Sequence, residues 1–300
     1  MIRIIPHRWY FISFFALLVV VSLGLLFQYG LKLSADFVEG TLYEVQFAEE
    51  VSQTELFSSL SNYVHQDESV LGNVEVKQTD YGSFVLRLKR LDTAQQDEFT
   101  AYLGQKFGEL SILQSRVVSP TFAKSFRDKA ILAVVVASVM IVLYITFAFR
   151  GVSRGIRSWK LGLASVIAMI ANVVILVGLY VVLGIFYGVE IDGLFLTALL
   201  TVMGYSVNDT IVVFDRVREN MFSKGHLESF GEVAEKSLHQ TMARSINTGF
   251  GTILMLMCLL LFGADELYYF ILALLVGIVV GTSSSIFLAT PLLTVMRKDS

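Results

Sequence analysis

Gly204 to Asn220 reads GYSVNDTIVVFDRVREN. The stretch begins inside an apolar run and ends in a cluster of charges, and it places Asn208 and Asp209 among residues that otherwise suit hydrocarbon. A carboxylate at the centre of a membrane helix costs about 2.5–3.5 kcal/mol on insertion scales. Such a group therefore faces a protein interior or a wet cavity, where a partner or a proton neutralises it. Two readings stay open on this stretch alone. Asp209 is either an interhelical hydrogen-bonding group or a titrating group on an ion or proton pathway.

The surrounding chain has the composition of a membrane protein. Of its 300 residues 55% are hydrophobic and 16% charged, with a mean hydropathy of +0.66. Several apolar runs reach the length of about 20 residues that a bilayer core demands. The net charge of −3 says less than the placement of charges along the chain. No basic patch is interleaved with aromatics, which argues against nucleic acid as a partner. Cys258, the only cysteine, lies in an apolar run, cannot form an intramolecular disulfide and reads as an inert core thiol. No Cys/His cluster suggests a metal, no GxxxxGK[ST] loop supports direct use of ATP, and no catalytic constellation marks an enzyme, so no cofactor is expected.

On either side of the opening stretch lie the fourth span, 193–214, and the fifth, 244–262. Thr197, Thr201, Gly204 and Asn208 recur at helical spacing on one face of the fourth, with Asp209 on the flank of that stripe. Small and hydroxyl residues so spaced suit close helix packing. Thr241, Ser245, Thr248 and Thr252 make a similar stripe on the fifth, beside Arg244 and Asn247. Arg244 either neutralises a buried acid or snorkels to the headgroups. Between the two spans, 215–243 is charged of both signs. Its Phe230, Ala234, Leu238 and Met242 predict an amphipathic helix lying along the membrane surface, and its His226 and His239 read as solvated.

The remaining spans are 9–29, 130–149, 161–186 and 267–293. Arg3, His7 and Arg8 precede the first, which is too long for a secretory h-region and has only Leu33-Ser34-Ala35 as a weak cleavage signal, so it is read as retained. Arg150, Arg154, Arg157 and Lys160 follow the second without an acid, a positive-inside signal. Asn172 is the one strongly polar side chain of the third, and Gly277, Gly281 and Ser285 form a small-residue face on the sixth. Acidic outer turns, Glu190 with Asp192 and Asp265 with Glu266, and the terminal Arg297 and Lys298 complete a pattern with both ends inside.

The polar stretch 30–129 reads as a separate small domain between the first two spans. A strand over Thr41–Ala48 is followed by a helix capped by Ser52 and Glu55, with Leu56, Leu60 and Tyr63 on its inner face. Val74 and Val76, then Phe84, Leu86 and Leu88, alternate as two strands around an Asp80-Tyr81-Gly82 turn. A helix from Thr93 carries Phe99, Leu103 and Phe107, and Leu110–Val118 is the last strand before Pro120. His65 reads as a surface residue. The order β-α-β-β-α-β is the ferredoxin-like pattern. The predicted fold is thus a polytopic α-helical membrane protein of six spans with an α+β ferredoxin-like extracytoplasmic domain between the first and second.

Gly204–Asn220 resembles, almost position for position, the fourth-span motif of the SecF branch of the SecD/SecF family, which is related to the resistance-nodulation-division superfamily. Thr241-Met242-Ala243-Arg244-Ser245 is similar to the start of that family's fifth span, and Asp36-Phe37 with Gly40-Thr41 to its segment after the first. The likeness covers the whole chain. It implies a multi-pass subunit of the bacterial plasma membrane that pairs with SecD, contacts membrane lipid, and assists SecYEG in moving a translocating polypeptide at the expense of the proton gradient. It also implies proton coupling by Asp209 and Arg244. The polar and small-residue faces of the spans themselves point to a supporting polar network of Asn172, Thr201, Asn208 and Thr248 and to helix packing at Gly204, Gly277 and Gly281. Two departures stand out: Glu39-Gly40 where the family has Gly-Gly, and Ala171-Asn172 where many relatives carry His-Asp. The second removes one member of a titrating relay. A half-size exporter of the same superfamily and a scaffold without ion coupling are the competing readings.

Overall fold

The computed structural model describes residues 3–34, 36–61, 63, 71, 74–79, 82–149, 158–224 and 228–297. The expectations that concern Ala35, His65, Asp80, Tyr81, Arg150, Arg154, Arg157, His226 and Lys298 lie outside these residues. The chain divides into two compact units, one of Leu33–Ile131 and one of Met1–Lys32 with Leu132–Ser300.

In the first unit, β1 (Gly40–Phe47) pairs antiparallel with β3 (Phe84–Leu88), from Thr41 opposite Leu88 to Val45 opposite Phe84. On its other side β1 pairs antiparallel with β4 (Leu110–Val118), with a register shift between Glu44 and Val45. β2 (Glu75–Gln78) joins β3, giving the order β2-β3-β1-β4. Alternation in β3 puts Phe84, Leu86 and Leu88 inside, where they meet Leu56 and Leu60 of α2 (Gln53–Ser61) and Phe99 and Leu103 of α3 (Thr93–Phe107). α3 opens on a capping box formed by Asp92 and Gln95, a signal the sequence reading passed over. Gly40 adopts φ +156°, and a Cβ there would sit 2.6 Å from the Leu88 carbonyl oxygen. The glycine of the Glu39-Gly40 pair is thus the one this backbone requires.

The second unit is helical: α1 (Arg8–Tyr29), α4 (Pro120–Ala148, whose first turns belong to the other unit), α5 (Ser158–Tyr187), α6 (Gly193–Lys224), α7 (Phe230–Phe262), and α8 (Tyr268–Ser284). A π-helical turn over Ser285–Ala289 leads from α8 into α9 (Thr290–Met296). Among the described residues six helices are long and apolar enough to cross a membrane, which makes the chain a multi-pass membrane protein with an α+β unit between the first two of these spans. About half of the most apolar window of α5, α6 and the α8–α9 run is buried (56%, 50% and 56%), against 11–17% for α1, α4 and α7. The first three make the centre and the others the periphery.

Two expectations are corrected. The amphipathic stretch does not lie along the membrane surface as a separate helix. It runs on into the fifth span as one helix, α7, because no glycine or proline interrupts Phe230–Asn247 after Gly231. Its apolar face, Phe230, Val233, Ala234 and Leu238, is buried in one cluster with Ile4, Ile5, Val217 and Met221. Cys258 is exposed rather than in the core, since it sits on the outward side of peripheral α7.

Candidate functional site

A polar layer crosses the apolar centre where α5, α6, α7 and α8 meet. Asn172 of α5, 2% exposed, donates its Nδ2 to Ser206 Oγ of α6 and to Ser284 Oγ of α8, each at 2.7 Å. One helical turn on, Thr210 Oγ1 meets Ser285 Oγ at 2.8 Å, and Ser285 also reaches the Ser206 carbonyl at 3.2 Å. Small residues make the close approach possible: a Cβ on Gly281 would stand 3.2 Å from Ser206 Cβ, and one on Gly277 would collide with Val202. The π turn begins at Ser285, where this layer demands an irregular backbone to bring both Ser284 and Ser285 inward.

Asp209 occupies the α7 side of the layer. It is 5% exposed, and among the described residues it is the only Asp, Glu, Lys or Arg that is buried. The hydroxyls that act on it are those of Ser245 of α7 and Thr282 of α8, and the opposite charge that acts on it is Arg244 of α7. Neither hydroxyl closes a well-formed hydrogen bond to it. Asp209 Oδ2, Ser245 Oγ, Thr282 Oγ1, Tyr205 Oη and Asn172 Oδ1 are all buried without a hydrogen-bond partner among the described residues. Buried polar atoms in such numbers belong to sites that bind water or an ion, or that change protonation. Gly249 leaves room here, with Thr282 Oγ1 3.2 Å and Tyr205 Oη 3.7 Å from where its Cβ would be.

Residues 98–299 match the family described as protein export membrane protein SecD/SecF, C-terminal. The protein translocase subunit SecF of Thermobaculum terrenum is 38% identical over 98% of this chain and 93% of its own length. The chain belongs to the SecD/SecF family. The SecF of Anaerolinea thermophila is 36% identical over 98% of the chain. The crystal structure of SecDF from Thermus thermophilus superposes with a TM-score of 0.81 at 31% identity, over 98% of this chain and 38% of that longer one. The chain therefore spans well under half of the fused SecDF polypeptide, while covering nearly all of the separate SecF relatives.

The structure brings Asn172 and Asp209 into the SecD/SecF chain's buried layer and seats Gly277 and Gly281 against α6. Five other expected residues are exposed. Thr201, Gly204 and Asn208 are exposed on α6, and Thr248 is exposed on α7 beside an exposed Arg244. Thr201 donates to the Thr197 carbonyl at 2.8 Å and Thr248 to that of Arg244 at 2.9 Å, so each hydroxyl is satisfied within its own helix. They take no part in the internal network, and nothing lies within 4 Å of a Cβ built on Gly204. The reason is rotational. Asn208 and Asp209 are neighbours in sequence but about 100° apart on a helix, so one faces out when the other faces in. The network uses Ser206, Thr210, Ser284 and Ser285 instead. The run Thr282-Ser283-Ser284-Ser285 inside an apolar span was the sequence signal that could have found two of them.

Proposed function

We propose that this chain is the SecF-type half of a SecD–SecF pair, and that it uses the proton gradient to promote polypeptide movement through SecYEG. The observation that carries the reading is Asp209, the lone buried charge of the described residues, held among unsatisfied hydroxyls at the junction of α6, α7 and α8. Protonation removes the Asp209 charge and its attraction to Arg244, while Ser245 and Thr282 exchange roles as donors and acceptors. Helices packed through small residues then settle into a second arrangement. One charge crossing 100 mV supplies about 2.3 kcal/mol, enough to bias a two-state equilibrium about fiftyfold.

Exposed Thr197, Thr201, Gly204 and Asn208 on α6, with Arg244, Asn247 and Thr248 on α7, form a polar stripe unsuited to lipid. In this reading the stripe is covered by the helices of SecD. Both termini lie in the cytoplasm and the α+β unit lies outside, where it meets the moving polypeptide without performing chemistry. Asp209→Asn keeps the shape of the side chain but cannot exchange a proton. In a strain depleted of the native protein, it is expected to abolish gradient-dependent secretion of a reporter at normal membrane levels. Full secretion by Asp209→Asn would make Asp209 a packing residue.

A further inference from the structure

An open cleft of about 980 Å³ lies between the N-terminal segment and the first turns of α7. Arg3, Arg8, Lys236 and Gln240 line it, together with Ser229 and Gly231 at the start of that helix. Two carboxylates also face it, and both are engaged. Glu232 closes a capping box with Ser229. Glu235 accepts from the backbone N–H groups of Ile4 at 2.9 Å and Ile5 at 2.6 Å, and its other contact is His239 Nε2 at 3.0 Å. Lys236 leans toward Glu228 at 3.6 Å. Among the described residues Arg3 and Arg8 have no ion pair.

The position of the cleft says what reaches it. Arg8 opens α1, and the next two residues, Trp9 and Tyr10, are 59% and 78% exposed. Exposed Trp and Tyr at the end of a span sit at the level of the lipid headgroups. Tyr10, Phe14 and Leu17 continue as an exposed face at helical spacing, offering hydrocarbon next to the cleft. We propose that this cleft binds the phosphate headgroup of an anionic phospholipid. The Arg3 and Arg8 guanidiniums supply charged, planar donors suited to phosphate oxygens. The start of the 33-residue α7 adds oriented N–H groups, and Gln240 adds a neutral donor. Glu235 is the positioning residue: by capping the N–H groups of Ile4 and Ile5 it pins the segment that carries both arginines. None of these groups belongs to the Asp209 layer, so the proposal stands apart from proton coupling.

The test uses the purified full chain carrying Trp159→Phe, which leaves Trp9 as the only tryptophan of the two. It is reconstituted in phosphatidylcholine containing equal mole fractions of either brominated phosphatidylglycerol or brominated phosphatidylcholine. Trp9 fluorescence is expected to be quenched more strongly by the anionic lipid. Arg3→Gln with Arg8→Gln is expected to lower that preference about thirtyfold, as losing two basic groups at an anionic surface should. Arg218→Gln, outside the cleft, is expected to leave it unchanged, and millimolar inorganic phosphate is expected not to displace the lipid. Equal quenching by the two lipids, or an equal loss in Arg218→Gln, would overturn the proposal. Displacement by phosphate would overturn it in favour of a soluble anion.

Discussion

Asn172 spends both amide hydrogens on Ser206 and Ser284, tying α5 to α6 and α8 inside the apolar centre. An amide has no proton to exchange near neutral pH, so the polar layer holds a single ionisable carboxyl, Asp209, where a His-Asp pair would have supplied more. Asn172→Ala leaves the two serine hydroxyls short of a partner, at a cost of about 1–3 kcal/mol. The expected result is a lower unfolding midpoint in detergent; an unchanged midpoint would mean that the layer already holds water. At Asp209, a glutamate keeps the ionisable carboxyl and moves it by one methylene, so Asp209→Glu is expected to retain part of the secretion activity. Arg244→Lys replaces a planar fork with a compact charge and is expected to lose more. The reporter assay ranks the two, and the reverse order would remove Arg244 as the partner of Asp209.

The contact between α6 and α8 depends on the absence of side chains. Gly277→Val drives two methyls into Val202, and overpacking of this kind costs about 1–3 kcal/mol. It should lower the melting temperature of the purified chain. Gly204→Ala is the contrasting case. Nothing within the chain meets the new methyl, and alanine favours helix over glycine by about 0.8–1 kcal/mol. The expected outcome is a chain at least as stable alone but less SecD recovered with it from membranes. Normal SecD recovery would place the polar stripe away from that partner. The same reasoning bears on α7, whose single continuous helix links the N-terminal cleft at one end to Ser245 and Gly249 in the middle. A shift of α7 on protonation of Asp209 would be felt along its whole length.

For the molecule as a whole, the α+β unit has its own apolar core, with Val45, Leu56, Leu86, Phe99 and Leu103 each 0–1% exposed. Residues 36–119 keep all four strands and both helices. Expressed alone, they are expected to unfold cooperatively in denaturant and to give dispersed amide signals. Within this piece Gly40→Ala is expected to lower the midpoint, because the φ of +156° and the Leu88 carbonyl leave no place for a Cβ. A disordered spectrum for the unaltered piece would mean that the unit needs its membrane attachments to fold.

Period and length were legible in the sequence. Apolar runs long enough for a bilayer can only be spans, and β-α-β-β-α-β with alternating Phe84, Leu86 and Leu88 can bury one sheet face in only a few ways. Those rules are local, and the fold they predict is the one observed. The stripe Thr197, Thr201, Gly204 and Asn208 was equally legible as a stripe, yet periodicity cannot say whether a polar face turns inward or outward. Only the packing of α6 on α7 and α8 sends Asp209 in and Asn208 out. The partners of Asn172 lie 34 and 112 residues away, and the turn that presents Ser285 has no local signature. The site is made of contacts between helices, and such contacts are decided by how side-chain surfaces fit in space, a quantity that no single stretch of chain contains.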